Sequence, residues 1–126
     1  MGEFDTTLER LIDTYCRAWS DPDPARRRKL LGEVWDVDAT YTDPRIQTVG
    51  PEELLAHIET MIARRPGARV VRTSRVDFHH DLGRFAWRVV QPDGTALPEG
   101  LDLVELTDDG RIGRIVGFFG PTVPLD

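Results

Sequence analysis

Leu101-Asp102-Leu103-Val104-Glu105-Leu106-Thr107-Asp108-Asp109-Gly110-Arg111-Ile112-Gly113-Arg114-Ile115-Val116-Gly117-Phe118-Phe119 reads as two strands joined by a tight turn. Asp108-Asp109-Gly110 supplies the turn, because glycine tolerates the positive φ that a short hairpin demands. Successive strand residues point to opposite faces. Glu105 and Arg114 mark the face toward water, which turns Asp102, Val104 and Leu106 inward on one strand and Ile115, Gly117 and Phe119 inward on the other. An acid buried between Leu101 and Leu103 is costly unless it is paired, hydrogen-bonded or protonated. The stretch therefore predicts a hairpin that carries chemistry into a protein interior.

Two further strands precede it, over residues 68–80 and 84–91, with turns at Asp81-Leu82-Gly83 and Pro92-Asp93-Gly94. Arg84 and Arg88 mark the outside, so Phe85, Trp87 and Val89 point in. Arg72 breaks the alternation of Val70, Ser74 and Val76, which predicts a β-bulge. Val71, Leu101, Leu103, Val116 and Phe118 fall on the outer face. That face is too apolar to leave wet, and a homodimer formed through it is the simplest cover.

The first half reads helical. Leu8, Leu11, Ile12, Tyr15 and Trp19 recur at helical spacing, with Thr6 and Glu9 as a capping box. Asp23 caps a second helix with Pro24 at its first position, and Leu30, Leu31, Val34 and Trp35 form its buried side. A short strand follows over residues 39–43, ended by Pro44. The third helix starts at Gly50-Pro51, carries the stripe Leu54, Leu55, Ile58, Met61 and Ile62, and closes at Pro66-Gly67. Helices followed by an antiparallel meander define an α+β fold with helices packed on one sheet face.

Length and composition limit what such a fold can be. The 126 residues suit one domain spanning 1–126. No apolar run approaches the roughly 20 residues that span a bilayer, which predicts no membrane partner. Residues 1–7 are acidic and polar, unlike a signal peptide. A single cysteine, Cys16, excludes an intramolecular disulfide and fits the cytoplasm. With 22 acids against 16 bases the net charge is −6, which argues against nucleic-acid binding. The basic run Arg26-Arg27-Arg28-Lys29 has acids around it at Asp21, Asp23 and Glu33, as on a solvated helix face.

Four segments together resemble a known family: Tyr15-Cys-Arg-Ala-Trp19, Trp35-Asp-Val-Asp-Ala-Thr-Tyr-Thr-Asp43-Pro44, Leu101-Asp102 through Gly110-Arg-Ile, and Gly117-Phe-Phe-Gly120. They resemble the nuclear transport factor 2-like superfamily, with its SnoaL-like polyketide cyclases and ketosteroid isomerases. The resemblance implies a cone-shaped fold, three N-terminal helices packed on a curved antiparallel sheet. It implies three catalytic residues: Tyr15 as an oxyanion-binding tyrosine, Asp43 as general base, and Asp102 as a second oxyanion donor kept protonated by its apolar strand. Ketosteroid isomerase is the established example of that carboxyl tuning. Trp35 and Ile58 stand where the isomerase pattern has supporting tyrosines, and an indole nitrogen donates but does not accept.

Each of these residues also has a plain structural reading. Asp43 can simply end a strand before proline, although Tyr41 shares its side. Tyr15 can be a core tyrosine, and Asp102 can hydrogen-bond to backbone. His57 sits beside the buried stripe of the third helix, either as a satisfied core-edge histidine or as an acid/base in a cavity. Asp77, His79, His80 and Asp81 do not make a metal site, because neighbouring strand residues face opposite ways, so no metal is expected. Trp19, Trp35, His57, Met61, Trp87 and Phe119 are the expected substrate contacts around an apolar pocket. There is no serine elbow, phosphate loop or dinucleotide fingerprint, and no cofactor is expected.

The expected function is cofactor-independent, isomerase-like proton transfer on a hydrophobic carbonyl-containing small molecule. Polyketide cyclase or epoxide hydrolase chemistry through Asp43 and Asp102 is an alternative. A noncatalytic binding or interaction module is another.

Overall fold

The computed structural model describes residues 6–126. In chain order its elements are α1 (Thr6–Ala18), α2 (Pro24–Val34), β1 (Trp35–Thr42), β2 (Gln47–Val49), α3 (Gly50–Arg64), β3 (Arg69–Arg72), β4 (Asp77–His79), β5 (Leu82–Val90), β6 (Gly100–Leu106) and β7 (Ile112–Phe118). The segment read as lacking a signal peptide lies largely outside the described residues. Among the described residues no helix is long and apolar enough to cross a membrane.

Local signals place the helices. Asp23 Oδ1 accepts the Ala25 amide at 3.0 Å and Pro24 opens α2. Glu52 and Glu53 stand in the first turn of α3, where the helix end is positive. Among the described residues no hydrogen bond joins Thr6 and Glu9 as the expected capping box would. Glu9 instead turns toward the sheet, accepting from Arg75 Nε at 2.9 Å and the Val76 amide at 3.1 Å. Arg72 lies 3.5 Å from the same carboxylate and forms a two-point pair with Asp13. These contacts tie α1 to the irregular backbone between β3 and β4, which is why the expected long strand over residues 68–80 is split into two short ones.

The sheet runs β2-β1-β7-β6-β5-β3, with β4 paired to β5. This overturns the cone. The path of strands is open, neither closed on itself nor strongly curled, and its ends are the short strands β2 and β3. Nor is the sheet wholly antiparallel, because β1 runs parallel to β7, with a register shift between Trp35 and Thr40. What stands is an α+β fold with helices packed on a mixed sheet. β1 is also longer than expected, and Trp35 begins it rather than ending α2.

One turn differs from its reading for a steric reason. The β4–β5 reversal is made by His80 and Asp81, at φ 52° and 64°, instead of by glycine. Gly83 lies inside β5, where an added Cβ would come within 2.9 Å of Asp77 O and 3.1 Å of Val104 Cγ1. Asp and His are among the residues that enter the left-handed region most readily.

The core lies between helices and sheet. Ile12, Leu31, Leu54, Ile58, Phe85, Val104, Ile112 and Ile115 are fully buried, each contributing about 1.5–3 kcal/mol of hydrophobic stabilisation. On the other face Phe118 is exposed, and its cross-strand partner Leu101 is half-buried, as are Leu103 and Val116.

Candidate active site

Asp43 follows β1 directly, and three donors fix its carboxylate. Oδ1 accepts the amides of Arg45 at 2.8 Å and Ile46 at 3.1 Å, forming an Asx turn. Oδ2 accepts the Tyr41 hydroxyl at 2.7 Å. Tyr41 reaches it because residues two apart on a strand share a face. His57 arrives from α3, its Nε2 3.9 Å from Asp43 Oδ2: too far for a hydrogen bond, near enough for charge to be felt.

Asp102 enters from β6. Trp87 Nε1 donates to its Oδ1 at 2.8 Å, while Oδ2 has no hydrogen-bond partner among the described residues. Two glycines make this geometry possible. Trp87 pairs with Gly100 across the strands, and a Cβ on Gly100 would lie 2.3 Å from Trp87 Cζ2. The indole therefore lies over the bare glycine. Gly117, paired with Asp102 on β7, leaves a second gap. A Cβ there would stand 2.8 Å from Asp102 Oδ1, 3.7 Å from Tyr41 Oη and 3.8 Å from Asp43 Cβ. The two acids approach each other across that missing side chain.

Tyr15 is buried on α1. Its ring stacks on Trp35 at 5.6 Å and 11°, and meets Trp19 edge-on at 6.3 Å. No hydrogen bond joins it to Asp43 or Asp102. Tyr15, Asp43 and Asp102 nevertheless line one cavity of about 460 Å³. Trp19, His57, Met61, Trp87 and Phe119 line it too, with Trp87 and Phe119 meeting at right angles instead of filling it. Trp35 lies behind Tyr15, outside the lining, with its Nε1 buried and unpartnered. Phe119 falls just past β7 and is 46% exposed, so it stands at the rim rather than inside. Tyr41, Arg45, Arg65, Leu97 and Pro98 also stand in the wall without having been singled out as contacts. Tyr41 was legible through its parity with Asp43. Leu97 and Pro98 sit in a connection whose sequence announces only turns.

Burial sets the electrostatics. It pushes the Asp102 carboxyl up to about 8, with Trp87 pulling down and the charge of Asp43 pushing further up. Burial raises Tyr15 well above the ordinary phenol, helped by Asp102. It raises Tyr41 as well, with the hydrogen bond to Asp43 adding to it. His57 is lowered by burial against the opposing pull of Asp43. The Cys16 thiol is pushed up by burial and stays protonated. At neutral pH the cavity thus holds a mostly protonated aspartic acid, two neutral phenols and a neutral imidazole. Among the described residues no three His, Cys, Asp or Glu side chains are grouped to hold a metal ion.

An α+β sheet protein whose helices and strands enclose an aromatic cavity lined by two carboxyl groups is the class that fold and site define. The chain belongs to the SnoaL-like family of nuclear transport factor 2-like proteins. It is 37% identical to a protein of Agrobacterium tumefaciens provisionally named an isomerase of that family, covering 93% of this chain and 100% of that one with a TM-score of 0.86. Two more distant likenesses share the fold. A provisionally named SnoaL-like polyketide cyclase from Jannaschia sp. CCS1 is 16% identical, with a TM-score of 0.69 over 94% of this chain and 88% of that one. A provisionally named polyketide cyclase from Sinorhizobium meliloti is 17% identical, with a TM-score of 0.69 over 89% and 96%. No family model matches the chain, and no curated protein does.

Proposed function

We propose that this protein is a cofactor-independent proton-transfer enzyme acting on a hydrophobic carbonyl compound. The supporting observation is a largely protonated, buried Asp102 that lines the same aromatic cavity as a fixed Asp43 carboxylate. In this reading Asp43 accepts a proton from the carbon beside the carbonyl, directly or through His57. The C–H electron pair becomes the Cα=C bond as the carbonyl π pair moves onto oxygen, where Tyr15 and neutral Asp102 donate hydrogen bonds to the enolate. Reprotonation at another carbon completes an isomerisation. Attack of the enolate on a second carbonyl completes an aldol-type cyclisation. Trp35 stacks on Tyr15 and its indole cannot accept from the phenol, which speaks against steroid isomerisation and leaves the proton-transfer step itself untouched.

Proton exchange at the α-carbon of 2-tetralone in deuterated water, followed by NMR, tests the step common to both outcomes. The wild-type protein is expected to accelerate exchange. Asp43→Asn and Asp102→Asn should each fold and lower that rate by about 10²-fold or more. Unchanged exchange in both variants would leave a binding module in place of an enzyme.

A further inference from the structure

The cavity has a polarity along its length. Its most buried lining residues, Tyr15, Cys16, Tyr41, Phe85 and Asp102, form the floor. Its exposed ones, Arg45, Arg65, Pro98 and Phe119, form the rim. Among the described residues the only acids in the lining are Asp43 and Asp102 at depth, and its only permanent cations are the two rim arginines.

Those arginines differ from most others in the chain. Arg26, Arg28, Arg72, Arg75, Arg84 and Arg114 each pair with a carboxylate. Arg27 and Arg111 donate to backbone carbonyls. Among the described residues neither Arg45 nor Arg65 has an acidic partner. The Arg45 guanidinium lies 5.8 Å from the centre of the Phe119 ring, and Arg65 makes one long contact, 3.5 Å, to Gln91 Oε1. Arg65 caps the C-terminal end of α3, but Arg64 already supplies the cation that a helix end favours. In a chain of net charge −6, two exposed guanidinium groups without acidic partners, both lining one cavity, make a local site for an anion.

We propose that the substrate is an amphiphile with its reacting carbonyl at the buried end and an anionic group, a carboxylate or a phosphate, at the rim between Arg45 and Arg65. The floor enforces the orientation. Its donors suit a carbonyl oxygen, whereas the Asp43 carboxylate beside them repels an anion. The apolar body then lies against Phe85, Trp87 and Val89. The carbonyl end of this assignment rests on the proton-transfer reading, but the anionic end rests on the rim alone.

Calorimetric titration with 2-naphthylacetate, 2-naphthylmethyl phosphate and the neutral methyl ester of the acetate tests it. At about 20 mM salt at least one anion should bind roughly tenfold tighter than the ester, and the tighter of the two identifies the acid group. Arg45→Gln combined with Arg65→Gln, both on exposed positions, should erase that preference, bringing the ratio of anion to ester affinity to about one. Raising salt to about 300 mM should shrink it in the wild-type protein, a second readout that needs no variant. Equal affinity for anions and ester, or a preference that survives both substitutions and salt, overturns the proposal. Asp102→Asn should keep the anion preference even where it stops α-proton exchange. Loss of the preference thus counts against the rim alone, and undiminished exchange against the proton-transfer reading alone.

Discussion

Asp102 shows how one hydrogen bond tunes a buried acid. Trp87 donates to Oδ1, and a donor of that kind stabilises the charged form more than the neutral one. It therefore opposes the rise that burial imposes. Trp87→Phe keeps an aromatic ring over Gly100 while deleting the donor. The Asp102 carboxyl in that variant should titrate above its wild-type position of about 8, by roughly one unit. Carboxyl-carbon NMR across pH 5–10 measures this directly. A titration that stays put, or moves down, would mean that the indole does not hold the carboxylate. The alternation of residues 101–106 made the inward acid legible. Nothing in sequence told which donor would meet it, because Trp87 and Asp102 are joined only through strand pairing.

At the scale of elements, glycine positions carry more of the site than their composition suggests. Gly117 read simply as an inward strand residue. In the folded sheet it is the gap where β7 passes between Asp102 on β6 and the Tyr41–Asp43 pair at the end of β1. Gly117→Ala would place a methyl group 2.8 Å from Asp102 Oδ1, so the carboxyl must rotate away from Trp87. The expected result is a stability loss of about 1–3 kcal/mol by denaturant unfolding, together with loss of the upward-shifted Asp102 titration. Both effects should shrink in an Asp102→Ala background, where the collision is gone. Equal costs in both backgrounds would show that the glycine serves the backbone and not the acid. The parallel pairing of β1 with β7 explains why this was hidden. A meander is readable from consecutive turns, but a strand that returns beside a distant one leaves no local signal. The split between β3 and β4 was hidden likewise, since it depends on Glu9 from a helix about seventy residues earlier in the chain.

For the whole molecule, the two buried acids pull stability in opposite directions with pH. Burial alone would raise Glu9, but Arg75, the Val76 amide and Arg72 outweigh it, so its folded pKa is lowered. Its contribution is present above the unfolded value near 4.5 and lost as pH falls through the folded one. Asp102 behaves inversely. Its pKa rises from 3.8 unfolded to about 8 folded, so between those values the native state holds a proton that the unfolded chain has released. Stability conferred by that proton is complete below pH 3.8 and drains away as pH climbs toward 8. The limiting slope is about 1.4 kcal/mol per pH unit. Water entering through the open mouth reduces the integrated loss, to about 2–5 kcal/mol. Asp102→Asn keeps the size of the side chain and the acceptor for Trp87 but cannot ionise. Urea unfolding at pH 5 and pH 8 should find the wild-type protein losing several kcal/mol across that interval and the variant losing markedly less, ending the more stable of the two at pH 8. Parallel curves would mean that Asp102 ionises in the folded protein much as it does in the unfolded chain, and the acid on which the proposed chemistry depends would not be held neutral by the fold.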